Sequence, residues 1–141
     1  DGKLLDNLGN EWKKYGIEFD QKAIKIARDK NLNIYEGGYK ILSSIDKKFD
    51  VIIASHVLEH IHSPFNFIEL AFKSLKKGGE IWLQWPAPNS YLYNKYKFYW
   101  RGLEAPRHLS LPSVSSLDII LRKKFYSQFI LNDVSIKWKD S

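Results

Sequence analysis

The chain has 141 residues, 44% hydrophobic and 15% aromatic, enough for one folded domain with its own core and too apolar for a disordered segment. It has no cysteine, which excludes disulfide scaffolds, thiolate zinc sites and cysteine nucleophiles, and its longest apolar run, VIIA, is far too short to span a membrane. Against 16 acidic residues stand 22 Lys and Arg, scattered over helix faces, so the net charge of +6 reads as a solvated surface and not as a nucleic-acid footprint.

The absence of methionine points to a processed or partial chain, and the absence of a signal-like start to a cytoplasmic, soluble one. The opening DGKLLDNLGNEW predicts a helix capped by Asp1, with Leu4, Leu5 and Leu8 on one face and Gly9-Asn10 as its stop. KKYGIEF is a short strand, and Asp20 caps a helix over QKAIKIARDK that sets Ala23, Ile24 and Ala27 opposite its lysines. NLNIYEGG is a strand closed by two glycines, YKILSSIDK a short helix or turn, and FDVIIAS a strand buried on both faces.

HSPFNFIELAFKSLKKGGE is the clearest helix, with Ser63 as cap, Pro64 at its first position and Gly78-Gly79 as its stop. EIWLQW is the next strand. Residues 86–112 mix prolines and aromatics without a sustained period, which predicts a long ordered excursion. SVSSLDIILRKKF is a second amphipathic helix and SQFILNDVSIKW a final strand with edge-like polar alternation. Strands alternating with helices predict an α/β domain spanning residues 1–141, its sheet largely parallel and helices on both faces. Ligands of such sheets bind outside the carboxyl ends of the strands.

Those ends carry the chemistry. Glu18 closes its strand, where a carboxylate can accept both hydroxyls of a ribose or simply be solvated. Gly37 and Gly38 let a flat ring approach the backbone beside Tyr39, or form an ordinary turn. In SHVLEHIH, His56, Glu59 and His60 match H-x-x-E-H, the inverted zinc-protease signature. That motif belongs inside a helix with a third acidic ligand downstream. Here it follows a strand directly, and neither Glu69 nor Glu104 stands in such a context, so zinc hydrolysis ranks last and no metal site is expected.

Three blocks, YGIEFDQKAIKIARDKNLNIYEG, FDVIIASHVLEHIHSPFNFIELAFKSLKKGGEIWLQWPAPN and YWRGLEAPRHLSLPSVSSLDIIL, resemble successive parts of class I S-adenosylmethionine-dependent methyltransferases. The similarity is to the small-molecule branch with HVLEH and PRHL blocks, and it runs from residue 1 to about residue 125. It implies a Rossmann-like methyltransferase fold, S-adenosylmethionine as cofactor, and a small-molecule or carrier-linked methyl acceptor, with no nucleic-acid partner. It also implies Glu18 as the ribose ligand, Phe19 as an adenine neighbour, Gly38 and Tyr39 along the adenine, and Ala54, Ser55 and His56 at the methionine part. Many relatives have an aspartate at the position of Gly38. Asp1 and Gly2 read as the end of the glycine-rich cofactor loop, so the gene is expected to encode an upstream apolar strand and glycine turn. Without that strand the sheet is interrupted.

In-line methyl transfer depends chiefly on positioning, and a hydroxyl acceptor adds the need for a general base. His56 and His108 are the candidates, and Glu59 with His60 is expected to anchor the start of the following helix, with a divalent ion there as the lesser alternative. Residues 86–112 occupy the place of the acceptor lid, with Tyr99, Trp100, Arg101, Arg107 and His108 as acceptor contacts and the two arginines available to clamp an anion. A stacking platform for RNA is the competing use of the same segment. A catalytically silent binding module is the competing function for the whole chain.

Overall fold

In a computed structural model, described over residues 2–88, 90–119, 121 and 135–138, strands alternate with helices and every strand pair is parallel, the expected α/β arrangement. The chain divides into two compact units, Asp1–Asp46 and Lys47–Ser141.

In the first unit, helix α1 (Lys3–Asp6) precedes strand β1 (Tyr15–Glu18), helix α2 (Gln21–Asp29) and strand β2 (Asn33–Glu36). The two strands pair in register from Tyr15↔Asn33 to Glu18↔Glu36, and α2 packs on both of them. Asp20 caps α2 as expected, its Oδ1 accepting the Ala23 amide at 2.8 Å, and Ile24 and Ala27 form the buried stripe. The opening helix differs from its sequence prediction. Its N-cap is Gly2, at φ 69°, without a side-chain cap, and it ends before Gly9 with Leu4 exposed; Asp1 lies outside the described residues. Only glycine takes this left-handed turn at so crowded a place, since a Cβ on Gly2 would stand 2.5 Å from Leu32 Cδ1.

In the second unit, strand β3 (Phe49–Ser55) leads through one 3₁₀ turn (Leu58–His60) into helix α3 (Pro64–Lys73), strand β4 (Leu75–Gln84) and helix α4 (Tyr91–Tyr96). Residues 114–119 form a further helix, and strand β5 (Ser135–Trp138) completes a sheet of order β3-β4-β5. Phe67, Ile68, Ala71 and Phe72 of α3 are buried with Leu58, Ile81, Leu83, Trp85 and Leu117. Each such apolar side chain contributes roughly 1.5–3 kcal/mol. The part of the last predicted strand before Ser135 lies outside the described residues; what is described sits on the sheet edge.

Three local expectations are corrected. Helix α3 ends at Lys73 and does not reach Gly78, because Ser74 closes it by bonding Leu70 O through Oγ at 2.9 Å while its own carbonyl accepts Phe49 N–H at 2.9 Å. The ladder with β3 thus takes over at Leu75, and the pairing slips between Phe49↔Leu75 and Val51↔Glu80 across a turn in which Gly78 adopts φ 77°. Ser63 occupies the cap position of α3 but its hydroxyl makes no capping bond. Strand β3 is not covered on both faces: Ile53 and Ser55, which share one face, are exposed, while Ala54 on the other is buried. Among the described residues β1 pairs only with β2.

Candidate functional site

The parallel register of β1 and β2 brings Glu18 and Phe19 out at the same edge as Gly37, Gly38 and Tyr39. Glu18 Oε1 accepts the backbone amides of Phe19 (2.9 Å) and Asp20 (3.1 Å), which aims the carboxylate at the strand end. Phe19 is exposed. Gly38 has extended backbone, and a Cβ placed on it would meet nothing within 4 Å, so the space over this residue is open. Glu36, at the end of β2, is held below the usual carboxylate range, first by a hydrogen bond from Gln21 and then by the charge of Arg28.

In the second unit, β3 ends at buried Ala54 and at Ser55, whose Oγ donates to Gln84 Oε1 at 3.0 Å. His56 comes next, with φ 53°, and its amide continues the ladder to Gln84 O at 2.8 Å. This turn aims the His56 ring at Glu59, Nδ1 to Oε1 at 3.0 Å, with the Glu59 side chain 1% exposed and the His56 side chain 56% exposed. A carboxylate only accepts, so Nδ1 carries the proton and Nε2 keeps its lone pair. The second carboxylate oxygen of Glu59 is buried and has no hydrogen-bond partner among the described residues.

The H-x-x-E-H stretch is therefore not helical, since His56 lies on the strand-end turn and only Leu58–His60 forms a 3₁₀ turn. The two histidines do not project from one helical face, as the inverted zinc-protease arrangement requires. Nor do Glu59 and His60 anchor the start of α3. The Glu59 carbonyl accepts the amides of Leu109 (2.6 Å) and Ser110 (3.4 Å), and His60 Nδ1 donates to Arg107 O at 3.1 Å, so both residues fasten the excursion.

That excursion folds by local capping: Ser90 Oγ caps α4 at Tyr93 N (3.2 Å), and two 3₁₀ turns follow, Lys97–Tyr99 and Arg101–Leu103. Trp100 is buried edge-on against Tyr93, and Trp85 Nε1 donates to Pro112 O at 2.8 Å. The His108 side chain is 8% exposed and donates from Nδ1 to Gly102 O at 2.6 Å. Both candidate clamp arginines turn to Glu104, Arg101 Nε at 3.2 Å and Arg107 Nη1 at 3.5 Å. The Arg101 hydrogen bond, helped by the charge of Arg107, holds the Glu104 carboxyl below its usual range against the opposing effect of desolvation.

Together these elements wall a cleft of about 380 Å³, in which His56, Glu59 and His60 face Trp100, Arg101 and His108. Of the acceptor residues read from sequence, Trp100, Arg101 and His108 line this cleft; Arg107 reaches Glu104 from outside the lining, and Tyr99 is almost fully exposed. Glu104, which gathers both arginines, was weighed in the sequence only as a third zinc ligand and not as their partner. Its signal was present in R-x-x-E-x-x-R-H, an acidic residue one turn from three basic ones.

Residues 1–124 match the family described as "Methyltransferase domain". The chain is 34% identical over 67 residues to "Ubiquinone biosynthesis O-methyltransferase, mitochondrial" of Dictyostelium discoideum, an alignment covering 46% of this chain and 21% of that protein. No solved structure matches. Among the described residues no helix is long and apolar enough to cross a membrane.

Proposed function

The chain belongs to the methyltransferase-domain family, and from that premise we propose that it moves a methyl group from S-adenosylmethionine to an oxygen of a small-molecule or carrier-linked acceptor. The choice of oxygen is supported by the name of the Dictyostelium relative, an O-methyltransferase, and by the basic group at the cleft. The residues of the first unit fit an adenosine. Glu18 is an acceptor-only carboxylate aimed by two amides, suited to paired ribose hydroxyls, and the open space over Gly38 admits a flat ring. Bound there, S-adenosylmethionine supplies an electrophilic methyl group on a sulfonium.

The work left to the chain is positioning and proton removal. The observation that carries the proposal is the His56–Glu59 pair at the cleft, with Nδ1–H on a buried carboxylate and Nε2 left basic. Nε2 takes the proton of the acceptor hydroxyl as its oxygen becomes nucleophilic, and the Glu59 charge stabilises the imidazolium that results. His108, bonded to Gly102 O, positions the excursion, and Arg101 stands at the cleft wall to orient the acceptor.

Calorimetric titration of S-adenosylmethionine and its demethylated product, combined with labelled methyl transfer to a panel of phenolic acceptors, tests this proposal. Saturable cofactor binding and transfer that depends on His56 are expected. No binding, either by the 141-residue chain or by the product of its full reading frame, would favour the silent binding module.

A further inference from the structure

We propose that Glu59, His60 and His108 form a binding site for one divalent cation of the zinc class, where the sequence alone ranks an ion at Glu59 and His60 behind a structural role. One ligand atom from each of the three residues lies within 4.8 Å of the other two. Ligand atoms around a tetrahedral zinc are about 3.3 Å apart, so side-chain adjustments on the order of 1 Å close the set.

Four features distinguish this cluster from a chance meeting of polar residues. The first is the Glu59 carboxylate, wholly buried, whose Oε2 has no hydrogen-bond partner among the described residues. A buried carboxylate oxygen left unpaired is costly, and a cation resolves that cost where no N–H or O–H does. The second is that Oε1 of the same group is taken by His56 Nδ1–H, which leaves Oε2 as the ligand atom. The third is the tautomer of both histidines. His60 Nδ1 faces Arg107 O and His108 Nδ1 faces Gly102 O, so each ring carries its proton on Nδ1 and keeps its lone pair on Nε2. Metal-bound histidines are held in the same manner, by donating the other ring N–H to a backbone carbonyl. The fourth is chain distance. Glu59 and His60 sit on one 3₁₀ turn, and His108 is brought to them by the Leu109 amide on Glu59 O, so the cation would tie the excursion to the strand-end turn.

Two imidazoles and one carboxylate suit zinc and its neighbours in the first transition row better than magnesium or calcium, which prefer oxygen ligands. All three residues line the cleft, so further coordination positions open on that side. The competing partner for His108 is Glu104, but its Oε2 is 3.8 Å from Nε2, beyond hydrogen-bond reach, and that carboxylate is already engaged by Arg101 and Arg107. The cation site shares Glu59 with the proposed base His56, through the other carboxylate oxygen, and its measurement does not use activity.

The full chain, stripped with a chelator, is titrated with Zn²⁺ against a chromophoric competitor, and with Co²⁺ while visible absorption is recorded. One equivalent is expected, with Co²⁺ bands of a four-coordinate nitrogen and oxygen site and a Zn²⁺-dependent rise in melting temperature. Glu59→Gln and His108→Asn each lower the affinity by about 100-fold or more, whereas His62→Ala, at an exposed histidine outside the cluster, leaves it unchanged. Circular dichroism confirms that each variant is folded; should His108→Asn unfold, Glu59→Gln and His60→Asn decide. Absence of stoichiometric binding by the folded wild-type chain, or unchanged affinity in the folded cluster variants, overturns the proposal.

Discussion

His56 and Glu59 share a hydrogen bond of 3.0 Å in which the carboxylate is wholly buried and the imidazole half exposed. In the proposed function this asymmetry divides the roles: the buried partner fixes tautomer and orientation, and the exposed ring is left to meet the acceptor. His56→Asn keeps an N–H donor near Nδ1 and, like His, Asn tolerates the positive φ of this turn, but it removes the base. It is expected to lower kcat about 100-fold or more while the cofactor Kd is unchanged. His56→Ala loses the same activity and, by stripping Glu59 Oε1 of its donor, also loses about 1–3 kcal/mol of stability. Urea denaturation and steady-state kinetics on both variants check the pair of outcomes; retained kcat in His56→Asn would remove His56 from the role of base.

In the proposed function Glu18 holds the cofactor. Glu18→Gln preserves an oxygen for the Phe19 and Asp20 amides but loses the charge and one acceptor for the ribose. A charged hydrogen bond of this kind is worth about 1.5–3 kcal/mol, so the cofactor Kd should rise roughly 10- to 150-fold with little change in melting temperature. Calorimetry reads the first and a thermal melt the second. A large fall in stability with unchanged affinity would make Glu18 only a local cap.

The elements that were legible in the sequence are those with a local physical cause. Asp20 caps α2 because a carboxylate beside free amides does so wherever it occurs, and the stripe of Ile24 and Ala27 follows from helical period alone. Helix α3 was overextended because Leu75–Lys77 would suit a helix; the pairing of Phe49 with Ser74 and Leu75, which no local pattern records, ends it sooner. At the site, His56 was legible from its place after a strand. The partners of Glu59 were not: Leu109 and Ser110 lie some fifty residues along the chain, and only tertiary folding brings their amides to its carbonyl. Arg101 and Arg107 read as free anion clamps because their charge is visible in the sequence, whereas the direction they turn, toward Glu104, is not.

Gly38 offers a gain-of-function test. Its backbone is extended and a Cβ there meets no atom within 4 Å, so neither conformation nor packing demands glycine. Gly38→Asp places a carboxylate where the resemblance implies a bond to the adenine amino group. Affinity for S-adenosylmethionine should rise by roughly tenfold, the equivalent of about 1.4 kcal/mol, with the fold retained. The same substitution should leave affinity for the methionine portion alone unaltered. Weaker cofactor binding by the folded variant would show that the adenine does not lie over residue 38.

Glu104 gives the excursion a pH dependence of definite sign. Its carboxyl is held below its usual range, first by the Arg101 hydrogen bond and, with desolvation opposing, by the charges of Arg107 and Arg101. A carboxyl whose folded value lies below its unfolded one contributes stability that is complete above the ordinary carboxylate range and is lost as pH falls through the lowered folded value. Protonation then frees both arginines, and the segment around Trp100 to His108 should loosen before the rest of its unit. Hydrogen exchange of peptides from this segment should therefore accelerate on acidification relative to peptides from α3, after correction for intrinsic rates. In Glu104→Gln the arginines lack their charge partner at every pH, so exchange should be fast throughout and its acid-dependent step absent. A Glu104→Gln variant that kept the wild-type acid step would assign the titration to another group.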